Sequence, residues 1–267
     1  MTLPPASATT TAVVTGSSSG IGTDLARVLA GRGYGVTLVA RRVDRLEALA
    51  EELRRSHGVR VEVVAGDLAD PSARAALVEA VAARGLTVDI LCNNAGLGVG
   101  GDVADSSSDR LVGMVRTNVE AVVDLTARWL PGMVERRRGA ILNVASTAAF
   151  QPLPGTTTYA ATKAFVLSFS EGLAAEVKAS GVTVTALCPG PVKTEFGEAA
   201  GHGDLSDKVP ARLWTTSEQV AKAAIDGMAK GKRVVIPGGF NAVGAGLAKI
   251  APHAVLLPLV RRANPLS

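Results

Sequence analysis

Aromatic side chains are scarce in this chain: 2 Trp, 2 Tyr and 5 Phe among 267 residues, 3% in all. A core built from large rings is therefore excluded, and 29 glycines point instead to Ala, Val and Leu packed between many tight backbone turns. There are only two cysteines, Cys92 and Cys188. They cannot make a disulfide framework, and both lie in apolar runs, which predicts buried free thiols in a reducing compartment. The three histidines, His57, His202 and His253, have no partners at metal-ligand spacing, so no metal site is expected. Long apolar runs are missing too. The most apolar stretch, Val234–Val260, is broken by Pro237, Asn241, Lys249, Pro252, His253 and Pro258, whereas a spanning helix needs about 20 mostly apolar residues. The opening MTLPPASATT has neither the basic start nor the apolar stretch of a signal peptide, and a cytoplasmic location is expected.

Charge of one sign is also lacking. The 28 Lys and Arg against 24 Asp and Glu leave a net +4 and a pI near 9.3. The cations form small scattered groups (Arg41-Arg42, Arg54-Arg55, Arg136-Arg137-Arg138, Arg261-Arg262), not a stripe interleaved with aromatics. No nucleic-acid partner is expected.

What the chain does have is 47% hydrophobic against 19% charged residues, the balance of a globular protein. Short apolar, β-branched runs recur: Thr11–Gly16, Gly35–Ala40, Arg60–Ala65, Val88–Asn93, Ala140–Ala145, Val182–Leu187 and Arg233–Pro237. Most are continuous rather than alternating, the pattern of strands covered on both faces. Between them lie stretches with helical periodicity, such as Leu25, Val28, Leu29 and then Leu46, Leu49, Leu53. The alternation predicts an α/β fold: a doubly wound, seven-stranded parallel sheet of Rossmann type with helices on both faces, in a single domain over residues 1–267. Residues 1–10 are expected to form a flexible tail. The segment 195–217, with three glycines and Pro210, is expected to be a substrate loop or lid. Residues 238–267 read as an apolar C-terminal extension.

The first strand runs into Thr15-Gly16-Ser17-Ser18-Ser19-Gly20-Ile21-Gly22, with a helix from about Gly20. Such a turn either is a simple tight connection or brings backbone N–H groups and the positive end of a helix against a pyrophosphate; its place after the first strand of a parallel sheet favours the second. The ribose is read at the end of the second strand, where Arg41 and Arg42 stand and no acid occurs before Asp44. Arginines there are either solvated or suited to a 2′-phosphate, and the position favours NADP(H) over NAD(H).

Tyr159 and Lys163 are four apart in a helical stretch running to about Ser180, so they share a face. A cation about 4 Å from the phenol contributes about 4 kcal/mol at an effective dielectric of about 20, or about three pKa units before desolvation opposes it, which would bring the phenol into the working range of a general acid or base. This spacing alone also describes an ordinary surface pair. Ser146 ends the strand Ala140–Ala145, 13 residues before Tyr159, and Asn118 lies 28 residues before Ser146. Strand ends of this kind are where open parallel sheets bind ligands.

In these motifs the sequence resembles the short-chain dehydrogenase/reductase family in its single-domain form: TGSSSGIG at Thr15–Gly22, Asp67-Leu68, NNAG at Asn93–Gly96, Asn118, Ser146, YAATK at Tyr159–Lys163 and PGPVKT at Pro189–Thr194. The resemblance spans Thr11 to Pro237. It implies that Tyr159 exchanges the proton with a carbonyl or alcohol, that Lys163 lowers the tyrosine's pKa and holds the nicotinamide ribose, that Ser146 bonds the substrate oxygen, and that Asn118 orders a water for proton relay. It further implies that Gly16, Ser18, Ser19, Gly20, Ile21, Gly22, Arg41, Arg42, Asp67, Leu68, Asn94, Ala95 and Gly96 line the cofactor together with Tyr159 and Lys163, with Pro189, Gly190, Val192 and Thr194 at its carboxamide end.

The expected activity is NADP(H)-dependent interconversion of a ketone or aldehyde and its alcohol, on an apolar or lipid-like carbonyl such as a 3-oxoacyl or steroid-like compound. The alternatives are an NAD-dependent alcohol dehydrogenase of the same fold and a non-catalytic dinucleotide sensor. The complete tetrad of Asn118, Ser146, Tyr159 and Lys163 speaks against the sensor. A homodimer or homotetramer is implied by the resemblance. Trp214 and Phe196 are either lid residues over an apolar substrate or local packing. Residues 238–262 read equally as a subunit interface, a pocket wall or a peripheral membrane contact.

Overall fold

Aliphatic and β-branched runs form seven strands: β1 (Thr10–Thr15), β2 (Val36–Ala40), β3 (Val61–Ala65), β4 (Thr87–Asn93), β5 (Gly139–Val144), β6 (Val182–Leu187) and β7 (Val234–Val235). They belong to a computed structural model that describes residues 3–200, 210–250 and 257–258. Every pairing is parallel, and the order is β3-β2-β1-β4-β5-β6-β7. The chain therefore steps outward from β1 to β3, then returns to set β4 beside β1. That reversal opens a crevice at the carboxyl ends of β1 and β4.

The helices are α1 (Gly20–Gly31), α2 (Val43–His57), α3 (Pro71–Ala83), α4 (Ser108–Val115), α5 (Ala121–Glu135), α6 (Thr157–Glu176), α7 (Phe196–Ala199), α8 (Ser217–Ala229) and α9 (Gly239–Ile250). Successive residues of a strand face opposite layers. In β1, Ala12 and Val14 pack with Leu25, Leu29, Leu46, Leu53 and Ile225 of α1, α2 and α8. Val13 turns the other way, to Leu77, Leu125 and Leu173 of α3, α5 and α6. Continuous apolar strands are what two covered faces require, and the doubly wound single domain is as the sequence predicts.

Local chemistry sets the helix starts. Asp70 precedes Pro71 and accepts from Ser72 N at 2.8 Å, and Thr216 and Gln219 close a capping box before α8. Two boundaries differ from expectation. The last strand is only Val234–Val235, because it lies at the sheet edge and Pro237 has no N–H to extend the ladder. α6 ends at Glu176, short of Ser180, where the chain turns through Ser180 and Gly181 (φ +77°) to enter β6. Residues 3–9, expected as a flexible tail, lie along the body: Pro4 is buried, and its carbonyl accepts from Tyr34 Oη at 2.8 Å.

In the segment 195–217, α7 and a turn at Ala211–Leu213 are described, and a parallel bridge joins Val192 to Thr215. Residues 201–209 lie outside the described residues. Of the C-terminal extension, α9 carries Phe240, Val243 and Leu247 exposed to solvent, and most of the chain beyond Ile250 also lies outside the described residues. Among the described residues, no helix is long and apolar enough to cross a membrane.

Candidate active site

The glycine turn closes the end of β1 against the end of β4. Gly16 (φ +67°) and Gly20 (φ +55°) adopt the left-handed conformation that glycine takes without strain. Gly22 is needed for a different reason: a methyl there would collide with Gly16 O and stand 2.5 Å from Asn94 Nδ2. Thr15 ties the two strand ends, since its Oγ1 donates to Cys92 O (3.2 Å) and accepts from Asn94 N and Ala95 N (both 2.9 Å). Asn94 Nδ2 donates back to Thr15 O at 2.8 Å. Ser18, Ser19 and Ile21 complete the turn. Ser19 sits at the start of α1 without capping it, which leaves the N–H groups of the first turn free of that hydroxyl.

The two arginines after β2 diverge. Arg42 folds onto the turn, with Nε 3.2 Å from Ser18 Oγ and Nη2 2.9 Å from Ser19 Oγ. Arg41 reaches instead toward Asp67, 3.7 Å away. Leu68, next to Asp67, is buried, and its carbonyl accepts from Arg74 Nη1 at 2.7 Å. Glu195 also arrives here, and its carboxylate is shared by Arg42 Nη1 (2.9 Å) and Arg45 Nη1 (2.6 Å). Those two guanidinium groups hold the Glu195 carboxyl below the usual range.

On the other side of the crevice, Ser146 follows β5 and starts a short turn, its Oγ accepting from Ala148 N at 3.1 Å. Tyr159 and Lys163 share one face of α6, with Lys163 Nζ 5.7 Å from the Tyr159 ring centre. Lys163 is buried and donates to Val144 O, the last carbonyl of β5, at 2.8 Å. A methyl placed on Gly96 would stand 3.3 Å from Lys163 Nζ and 3.4 Å from Asn118 Oδ1, so these groups meet at the end of the NNAG run. Asn118 lies in a single wide π-turn, Arg116–Glu120, between α4 and α5. Its Oδ1 accepts from Leu97 N (2.8 Å) while Nδ2 donates to Leu97 O (2.9 Å) and Thr162 Oγ1 (3.0 Å). The side chain is thus spent on protein partners.

The electrostatics of the pair differ from the sequence expectation. Burial pushes the Tyr159 phenol up to about 12, with the Ser146 hydroxyl pulling the other way. Burial also brings Lys163 down to about 8. Desolvation outweighs the lowering of the phenol expected from a neighbouring ammonium, because the lysine is itself held where its charge is disfavoured. Phe196 adds to the cover on the phenol: its ring centre is 5.7 Å from that of Tyr159, tilted by 50°.

The sequence pattern that defines the short chain dehydrogenases matches residues 10–204. The chain belongs to that family. An uncharacterized oxidoreductase of Myxococcus xanthus is 33% identical over 252 residues, covering 94% of this chain and 96% of that protein. The NADP-dependent 3-hydroxy acid dehydrogenase of Salmonella typhi is 38% identical over 194 residues, 72% of this chain and 77% of its own length. Among solved structures, a short-chain dehydrogenase from Sphingobium yanoikuyae in complex with NADPH superposes with a TM-score of 0.80 at 34% identity, covering 91% of this chain and 97% of that one.

In this short-chain dehydrogenase the fold brings the expected tetrad and the expected cofactor-lining residues to one edge of the sheet. Thr194 lies against Gly20, where a methyl would stand 2.9 Å from Thr194 Cγ2. Pro189 O accepts from Thr147 N at 2.9 Å, beside Ser146, and Gly190 packs against Asn241, which a methyl would approach to 2.5 Å. Sequence reasoning missed Arg45, Glu195, Thr162 and Gly98. Arg42 and Arg45 are three apart at the start of α2, a spacing that could have marked a shared face. Glu195 carries no such signal, since its partners are about 150 positions away in sequence.

Proposed function

We propose that this oxidoreductase interconverts a ketone or aldehyde and its alcohol with NADP(H), with Tyr159 as general acid and base, on an apolar or lipid-like carbonyl compound. The observation that carries the reading is the meeting of Tyr159, Ser146 and Lys163 at the end of β5, against the same crevice that the glycine turn lines. A dinucleotide fits the residues present. The turn at Gly16, Gly20 and Gly22 keeps side chains out of a close backbone approach, the start of α1 offers unpaired N–H groups, and Arg42 stands over Ser18 and Ser19 where a 2′-phosphate would lie. The Salmonella relative is NADP-dependent and the Sphingobium structure is an NADPH complex, in keeping with this choice.

When bound, NADPH supplies the hydride, and the protein supplies position and a proton. With its phenol at about 12, Tyr159 holds its proton at neutral pH and can donate it to the substrate oxygen as negative charge grows there. Ser146, next to the phenol, donates a second hydrogen bond to the same oxygen. Lys163 is cationic below about 8 and, anchored on Val144 O, places positive charge beside the phenol when Tyr159 must give up its proton. The wide turn at Asn118 is the place for a water relaying protons to Lys163, with the side chain holding Leu97 and Thr162 in register. Phe196 over the phenol gives the approach an apolar wall.

The test is NADPH oxidation by the purified protein over a panel of 3-oxoacyl thioesters, steroid ketones and short polar ketones, alongside NADH. Turnover with NADPH is expected on the apolar members, and none for Tyr159→Phe. Equal use of both cofactors would overturn the NADP(H) assignment, and undiminished turnover by Tyr159→Phe would remove the phenol from the mechanism.

A further inference from the structure

Glu195 and Phe196 are adjacent in sequence, yet they engage opposite ends of the site. Glu195 bridges Arg42 and Arg45 with one oxygen on each, at 2.9 and 2.6 Å. Phe196 lies on the Tyr159 ring, and Gly98 makes room for it: a methyl on Gly98 would stand 3.0 Å from Phe196 Cζ. The segment is pinned beyond that point by Gly100 N donating to Ala200 O at 2.9 Å. Consecutive Cα atoms are about 3.8 Å apart, so a backbone shift that carries Glu195 away from its two cations carries Phe196 with it.

The Glu195 carboxylate occupies an anion cradle. Arg42 is steadied by Ser18 and Ser19 while it and Arg45 converge on one acidic group. A phosphate carries more charge than a carboxylate and offers more oxygens to a guanidinium fork. We propose that Glu195 is an internal competitor for the cofactor's 2′-phosphate at Arg42 and Arg45, and that its displacement lifts Phe196 from Tyr159. This rests on the NADP(H) reading and extends it: Arg45 becomes a cofactor-selecting residue, and the 2′-phosphate uncovers the phenol at the far end of the crevice.

The test uses the full chain, wild type and Glu195→Gln, with NADPH and NADH affinities measured by nicotinamide fluorescence. An exposed ion pair is worth at most a few-fold, so Glu195→Gln is expected to bind NADPH about two- to fivefold more tightly and NADH unchanged. Arg45→Gln is expected to weaken NADPH alone. The second readout is the ring resonance of Tyr159 by NMR of protein labelled at its two tyrosines, with Tyr34→Phe for assignment. The probes 2′,5′-ADP and 5′-AMP differ only in the 2′-phosphate, and neither carries a ring that reaches Tyr159. The first should shift the Tyr159 resonance and the second should not, while in Glu195→Gln the resonance should already sit at the shifted position.

Wild-type protein binding NADPH and NADH alike would defeat the NADP(H) reading and this proposal with it. A wild-type preference for NADPH that Glu195→Gln leaves untouched would overturn the competitor alone. Tighter NADPH binding in Glu195→Gln with a Tyr159 resonance indifferent to 2′,5′-ADP would overturn the link to Phe196.

Discussion

Lys163 is a cation that the fold holds at a cost, and that cost can be measured without any substrate. Its side chain is buried, and its pKa is about 8 in the folded chain against an ordinary 10.5. The difference corresponds to a penalty of about 3 kcal/mol on the charged form in the folded state. The folded value lies below the unfolded one, so the unfolded chain binds the extra proton between about 8 and 10.5, and stability rises with pH across that window. Lys163→Met keeps the stem and removes the titration. Between about pH 6 and about pH 9 the wild type is expected to gain about 1.4 kcal/mol relative to this variant, with the variant the more stable at the acid end. Urea unfolding of both proteins at several pH values, compared at equal m-value, reads the difference directly. A stability difference that stays flat, or that favours wild type more strongly at low pH, would refute the claim that burial outweighs the other influences on this ammonium.

Tyr159→Phe is expected to abolish carbonyl reduction while NADPH titration gives a dissociation constant within about twofold of wild type, since the lost hydroxyl serves the proton and not the nucleotide. Gly22→Ala forces a methyl against Gly16 O and Asn94 Nδ2. It should cost about 1–3 kcal/mol in thermal or urea unfolding and weaken both NADPH and NADH, unlike the arginine variants. Asn118→Ala strips three hydrogen bonds from a buried position. A loss of about 2–4 kcal/mol is expected, and a neutral result in unfolding would show that Leu97 and Thr162 find other partners.

Legibility from sequence followed the range of the interactions. The strands are continuous apolar runs because each is covered twice, and that pattern is local, so the sheet could be read from the chain alone. The tetrad was legible only through the family resemblance of its motifs; spacing alone set Tyr159 and Lys163 one helical turn apart, which also describes an ordinary surface pair, and the fold is what sets them beside Ser146. What could not be read were the pairings over long separations and the sign of competing electrostatic effects. Glu195 meets Arg45 only because the segment after β6 folds back over α2, and nothing near either residue announces it. Proximity of Lys163 to Tyr159 was visible in the spacing, but the burial that raises the phenol and lowers the ammonium comes from the packed fold and is not visible in the spacing. Likewise, Asn118 is recognisable by position, while the engagement of its side chain with Leu97 and Thr162 needed the π-turn.

Arg74 carries one more consequence. Its guanidinium, 2% exposed, donates to Leu68 O and to the carboxylates of Glu120 and Asp124, so a helix of the first half is fastened to residues some fifty positions later. A fragment cut after α3 would lose both carboxylates and also Leu125 and Met133 of α5, which pack with Leu77 and Val81, leaving that apolar surface of α3 open to water. The two halves of this sheet are therefore not separable modules: the nucleotide-binding half should not fold as an isolated piece, and grafting it onto another protein would require carrying the start of α5 along with it.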